Sequence, residues 1–311
     1  MNRSVTGECK MGGNQSGDKT YELVSDYRDD DKLKESFNKL AIETFDLDFS
    51  DWYKRGYWDE KYIPYSFVHN GKVISNASVY LMSVIVDGQT YRAAQIGTVM
   101  TDQAYQRKGL STKLIQHIMD QYENECDVIF LFANETVLDF YPRFGFTRYH
   151  ESEFSLNINK SAIQIKKGVH VKKLTLEQDV SLLEQFAEKR QTHSMKLDAQ
   201  HHSSLLMFYF TLVWPDAIFY IEALDTIVLM NEENETMHVF DIISLQTPDV
   251  EEVVGSIVKE TTEKVIFYFT PDTTIEGLHA VTTPNDEDAL FIYTKEHWAK
   301  GHFMFPITAH C

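Results

Sequence analysis

Gln106-Arg107-Lys108-Gly109-Leu110-Ser111 sets two cations and a glycine directly before an amphipathic run. In that run Leu110, Leu114, Ile115, Ile118, Met119 and Tyr122 recur at the 3.6-residue period of a helix with one apolar face. Upstream, Ile96-Gly97-Thr98-Val99-Met100-Thr101 reads as a strand. A strand, a basic glycine turn and a helix start together make an anion site. The first amides of a helix lack intrahelical partners, its dipole favours negative charge there, and glycine lets a phosphate approach the backbone. Ser111 and Thr112 add hydroxyl donors. The expected occupant is a pyrophosphate. The Walker pattern needs Gly-Lys-Ser/Thr where Gly109 is followed by Leu110, and the Rossmann fingerprint needs three glycines, so neither nucleotide motif fits.

The elements that must position this turn can be read along the chain. Residues 1–18, rich in Gly, Ser, Asn and Lys without periodicity, read as a flexible N-terminal tail. A strand is expected at Tyr21–Val24 and a helix over about Asp30–Thr44, led by the acidic run Asp29-Asp30-Asp31. Asn70-Gly71 and Asp87-Gly88 mark hairpins joining strands at Ser66–His69, Lys72–Val86 and Tyr91–Thr101. After the helix come a buried strand, Val128–Ala133, a short helix over Glu135–Tyr141, and a last strand near Glu153–Asn157. A second unit begins near Val169. It has helices near 178–191, 203–213 and 250–261 and strands near 217–223, 225–230, 237–244 and 265–270.

This second unit repeats part of the first. Val128-Ile129-Phe130-Leu131-Phe132 has a near-copy in Val265-Ile266-Phe267-Tyr268-Phe269, each preceded by an amphipathic helix and a strand. Two buried strands can share β-propensity by chance, but the shared helix–strand order favours duplication. Where the first copy has its basic glycine turn, the second has Leu245-Gln246-Thr247-Pro248-Asp249, with no glycine, no cation and an added carboxylate. Phosphate is not expected there.

Composition bounds the function. At 311 residues with 43% hydrophobic and 13% aromatic content, the chain can build two packed domains. No apolar run nears the roughly 20 residues of a membrane span, and no apolar leader precedes the first unit, so the expected location is the cytoplasm. Cys9, Cys126 and Cys311 suit neither a disulfide framework nor a zinc site. No histidine spacing suggests a metal, and His201-His202 reads as a solvated pair. A net charge of −18, spread over both halves, argues against nucleic acid and suits a cationic small molecule or peptide, although solubility alone also explains it.

The turn, the helix, the strand Val128–Ala133, Asn134, and Phe140-Tyr141-Pro142-Arg143-Phe144-Gly145-Phe146 resemble, in that order, the GNAT superfamily of acyl-CoA N-acyltransferases. The resemblance covers about residues 20–157. The family's pyrophosphate loop reads Gln/Arg-x-x-Gly-x-Gly/Ala; here Gln106 and Gly109 match and Ser111 replaces the last small residue. The resemblance implies that main-chain groups of Val99-Met100-Thr101 pair with the pantetheine of acetyl-CoA and polarise its thioester. Residues Gln106, Arg107, Lys108, Gly109, Leu110, Ser111 and Thr112 would hold the pyrophosphate, and Asn134 the pantetheine arm. Tyr141 would protonate the leaving thiolate, the alternative being a core aromatic that covers the sheet. The plan is also similar to tandem acetyltransferases of the enhanced-intracellular-survival type, in which a second domain lacks the coenzyme site, although this chain ends before the additional C-terminal domain of some of them.

The expected fold class is therefore α/β (α+β): a GNAT-type mixed, mostly antiparallel sheet flanked by helices over 19–160, then a degenerate GNAT-like domain over 168–311. The expected reaction is direct attack of an acceptor primary amine on acetyl-CoA, with no metal. A covalent intermediate is not expected, since no cysteine falls near the coenzyme turn. Two alternatives stay open: an inactive acyl-CoA-binding sensor, and an aminoacyl-tRNA-dependent transferase. No general base stands out. Gln95 cannot act as one, Glu60, Asp102 and Glu135 are unconvincing, and a water chain or the C-terminal carboxylate of Cys311 remains. The acceptor pocket is expected between the aromatic stretch 52–67 and the second unit, where Trp52, Tyr57, Trp58 and Tyr62 either hold a cation or pack as ordinary core. Neither a nucleic-acid nor a membrane partner is expected, and exposed strands leave assembly into a homo-oligomer open.

Overall fold

The computed structural model describes residues 7–9, 21–271, 274–295 and 298–311. Of the tail expected over 1–18, only 7–9 are described; they form an edge strand, β1 (Gly7–Cys9), on β2 (Tyr21–Ser25). Helix α1 (Asp31–Phe45) starts where the Asp30 carboxylate accepts the amides of Lys32 and Leu33, and it buries Phe37, Leu40 and Ala41 on one face. The short α2 (Ser50–Lys54) adds Trp52 to the same core. Strands β3 (Tyr62–His69) and β4 (Lys72–Val86) join through Asn70-Gly71, at φ 53° and 74°, the left-handed pair that a two-residue hairpin requires. After Asp87-Gly88 comes β5 (Gln89–Thr101).

Helix α3 (Leu110–Tyr122) buries the six residues that its periodicity singles out. It returns the chain to β6 (Val128–Ala133), parallel to β5. The single helix expected over 135–141 is instead two 3₁₀ turns, Glu135–Val137 and Tyr141–Phe144. Pro142 supplies no amide donor to a continuous helix, and Gly145 ends the second turn at φ 87°. Strand β7 (Thr147–Tyr149) follows.

The remaining elements are β8 (Ser152–Asn157), β9 (Val171–Lys173), α4 (Leu176–Lys189), β10 (Leu197–Gln200), α5 (Ser203–Phe208), β11 (Ile218–Ile221), β12 (Thr226–Glu233), β13 (Thr236–Ser244), α6 (Val250–Ile257), β14 (Lys264–Phe267), β15 (Leu278–Thr282) and β16 (Ala289–Thr294). They complete two mixed, mostly antiparallel sheets. One runs β1-β2-β3-β4-β5-β6-β16-β7, with β10 also on β4; the other runs β15-β8-β14-β13-β12-β11-β9. In each, a parallel strand–helix–strand unit forms the middle: β5-α3-β6 and β13-α6-β14. That is the internal repeat seen in the sequence.

The sheets exchange strands. The strand expected to close the first unit near 153–157 forms as β8, but it lies between β14 and β15 in the second sheet. Reciprocally, β16 from the end of the chain lies between β6 and β7 in the first. Ala289 to Ile292 alternate their side chains into the apolar layers on the two faces of that sheet. The segment 298–311 then crosses the α1 face, where Phe305 stacks on Phe130 with ring centroids 4.5 Å apart. Among the described residues, no helix is long and apolar enough to cross a membrane.

Candidate active site

Strands β5 and β6 pair from Ala93↔Val128 to Ile96↔Leu131 and then part. From Gly97 on, the β5 edge that β6 covers upstream is open. The other edge stays on β4 across a bulge, where Thr98 takes φ 49°. Asn76 Nδ2 donates to the Thr98 carbonyl at 2.9 Å, and the Thr98 and Tyr62 hydroxyls lie 2.9 Å apart, so the distortion is held from two sides. The parting opens a cleft of about 640 Å³. Val99, Met100, Thr101, Gln106 and Ser111 line one wall, and Asn134, Phe140 and Tyr141 another.

Next to it lies a smaller hollow of about 260 Å³, lined by Gln106, Arg107, Gly109, Leu110, Ser111 and Thr112. Thr101, Gln106 and Ser111 belong to both, so the two form one continuous surface. Arg107 and Gly109 take left-handed φ values of 60° and 73°, and among the described residues no side chain caps α3. Its first amides therefore face the hollow unclaimed, the arrangement that binds anions. Two side chains differ from expectation. The Ser111 hydroxyl is engaged with Thr101 Oγ1 at 2.9 Å, which ties the turn to β5. Lys108 folds back, donating to the Ala104 carbonyl at 2.7 Å over the Tyr105 ring, and lines neither space.

Asn134 Oδ1 caps the following turn, accepting from the Thr136 amide at 3.0 Å, which leaves the side-chain NH₂ for any ligand. Tyr141 is 5% exposed among Phe140, Phe146 and Phe291. Its hydroxyl has no hydrogen-bond partner among the described residues, and burial pushes its pKa up to about 12, so the phenol stays protonated at neutral pH.

Three lining residues come from the far end of the sequence: Asp288, His310 and Cys311. His310 stacks on Phe132 at 3.5 Å between centroids, and its Nδ1 lies 3.3 Å from Asp288 Oδ2. Burial raises the Asp288 pKa, but the hydrogen bond and charge of His310 outweigh it and lower the net value. The segment is fastened along its length. Phe305 N donates to Glu151 at 2.6 Å, Thr308 Oγ1 to Asp241 at 2.5 Å, and Tyr209 OH to the His310 carbonyl at 2.8 Å. Asp241 belongs to a buried cluster in which Arg190 reaches Asp198 at 2.9 Å and Asp241 at 3.2 Å. The aromatic, proline-punctuated run Phe303-Met304-Phe305-Pro306 was the available signal that this end packs.

The hollow at the glycine turn has no cysteine among its described lining residues, while Cys311 lines the large cleft beside Gly97. Burial pushes its thiol up to about 12, so it is held as the unreactive thiol. The earlier candidate bases lie elsewhere. Asp102 is paired with Lys72 at 2.5 Å, Glu60 and Glu135 are exposed, and Gln95 is buried with its Oε1 unpartnered. Trp52, Trp58 and Tyr62 form core with Phe37 and Phe49; Tyr57, partly exposed, donates to Glu184. Thr44, Phe45, Leu47 and Phe49 line the large cleft, and no residue of 52–67 does. His202 is buried, not solvated, and burial lowers its pKa to about 3.

In the second sheet, the turn before α6 closes on itself. Asp249 caps the helix by accepting the Glu252 amide at 3.0 Å, and Glu251 and Glu252 fill the first turn. A carboxylate thus occupies the place an anion would take. Among the described residues, no group of three or more His, Cys, Asp or Glu could hold a metal.

Residues 31–149 match the family model of the acetyltransferase (GNAT) domain. Similar folds include a probable N-acyltransferase of unknown function from Enterococcus faecalis V583, with a TM-score of 0.59 at 13% identity, covering 88% of this chain and 72% of that one. A GCN5-related N-acetyltransferase from Kribbella flavida has a TM-score of 0.54 at 14% identity, covering 87% and 71%. Eis1 from Mycobacterium abscessus has 0.55 at 14%, covering 83% and 69%. At these identities the likeness is one of fold. No curated protein matches the sequence.

Proposed function

We propose that the protein is an acetyl-CoA-dependent N-acetyltransferase with one working site per chain. The observation that carries this reading is the continuity of the open β5 edge, the unclaimed amides of α3 and the Tyr141 hydroxyl along one cleft. Main-chain groups at Val99–Thr101 pair with the pantetheine amides as an added half-strand, and the turn from Gln106 to Thr112 holds the pyrophosphate. Asn134 reaches the pantetheine arm through its NH₂. The acceptor amine attacks the thioester carbon, the C–S bond breaks, and Tyr141 donates its proton to the departing thiolate. The amine's own proton passes to the Asp288–His310 pair, which also lines the cleft. Cys311, held as a thiol, is a poor nucleophile, which favours direct transfer over an acyl-cysteine intermediate.

A calorimetric titration with acetyl-CoA, followed by the same titration and a thiol-release assay on Tyr141→Phe, tests this. One site per chain, with binding retained and turnover lost in the variant, is the expected result. Retained turnover would remove Tyr141 from the mechanism. Coenzyme binding with no turnover of any amine by the unaltered protein would favour an acyl-CoA sensor. The acidity of both halves counsels against a tRNA-dependent transferase; micromolar binding of tRNA at low salt would reverse that view.

A further inference from the structure

With the coenzyme placed as proposed above, the rest of the cleft has an unusual lining for a chain of net charge −18. Its walls are Phe45, Leu47 and Phe49 from the end of α1 and the connection to α2, Phe208 from α5, and Phe132 from β6. Asp288 supplies a carboxylate, already matched with His310. The acidity of the molecule lies elsewhere on its surface.

We propose that the acceptor is a monoamine on a hydrophobic body, an arylalkyl- or alkylamine, rather than a polycation. This rests on the acetyl-transfer reading of the same cleft. A ring or alkyl chain removes apolar surface from water against the phenylalanines, while its single ammonium meets the charge of Asp288. A polyamine would bring further ammonium groups into contact with apolar walls that offer them no carboxylate, at a desolvation cost. Phe45 is 45% exposed, one of the few large apolar side chains left open to solvent, and it stands at the rim of this cleft. An exposed aromatic beside an apolar hollow is a contact waiting for an apolar ligand.

The experiment compares kcat/KM for 2-phenylethylamine and spermidine with acetyl-CoA, in the full chain and in Phe45→Asp, alongside calorimetry for acetyl-CoA. Phe45 ends a helix at the surface, so the variant should keep its fold and coenzyme affinity. The expected result is a preference for 2-phenylethylamine of about tenfold or more, shrinking by a similar factor in Phe45→Asp. Equal or better use of spermidine by the unaltered chain would overturn the acceptor class and leave the acetyltransferase reading standing. A preference unchanged in Phe45→Asp would overturn the role given to this wall. Coenzyme binding with neither amine acetylated would overturn the acceptor class, and the acetyl-transfer reading would fall with it only if a wider panel of amines also gave no thiol release.

Discussion

Gly97 is the point on β5 against which the backbone of Cys311 closes, with no room for even a methyl group between them. The first residue beyond the β5–β6 pairing is thus also the floor on which the chain's last residue rests. Gly97→Ala should push Cys311 and the neighbouring His310 out of position in the cleft. Displacements near 1 Å at a reacting site can cost about 100-fold in rate. The expected outcome is a fall in turnover of at least about tenfold with acetyl-CoA affinity little changed. Parallel rate and calorimetric measurements check it; unchanged turnover would mean that the segment contributes nothing to the reaction.

Cys311→Ser should keep most of the activity. The thiol's burial holds it protonated, and direct transfer does not use it. Loss of turnover beyond about 100-fold, or an acyl adduct on Cys311 seen by mass spectrometry after acetyl-CoA alone, would require a covalent route instead.

Arg190 lies in the second half with its side chain 3% exposed, between Asp198 and Asp241. Removing the cation leaves two buried carboxylates uncompensated, so Arg190→Met should destabilise the fold by about 3–5 kcal/mol. Chemical denaturation would measure it. Because Asp241 also holds Thr308, turnover should fall more in Thr308→Val than the smaller stability loss of that variant explains.

Glu151 gives stability a pH dependence of defined sign. Burial lifts its carboxyl from 4.5 to about 7, opposed by the His310 charge and the Phe305 amide and reinforced by Asp288. Between about pH 4.5 and 7 the folded chain holds a proton that the unfolded chain has released, so this group's contribution shrinks as pH rises through that window. Asp288, lowered instead, contributes above its ordinary range near 3.8 and loses that contribution as pH falls below it, outside the Glu151 window. Melting curves from pH 5 to 8 should show a slope for the natural chain that flattens in Glu151→Gln. Identical slopes would remove Glu151 as its source.

The local code was legible where a residue type has one structural use. Asn70-Gly71 could hardly be anything but a tight hairpin, the α3 face was written in its spacing, and Gly109 marked a helix start. What could not be read was pairing at a distance. Ser152–Asn157 has the alternation of a strand, but alternation does not say which sheet it joins, and neighbours in sequence are the default guess. Ala289–Tyr293, a plain apolar strand pattern, went unassigned for want of a visible partner, and with it Asp288 and His310 went unnoticed. The aromatic stretch 52–67 left two readings open for a related reason: its composition fits a cation cage and a core equally well, and burial decides between them.

Because β16 fills the gap between β6 and β7 while β8 fills its counterpart, neither half of this chain is a separable part. A fragment ending near residue 160 would carry the whole pyrophosphate turn yet expose the bare edge of β6 and an orphaned β8, both ready to pair with other chains. Trimming the protein to its first half is thus a recipe for aggregation rather than for a smaller working unit. The half without the basic glycine turn supplies a strand to the half that carries it.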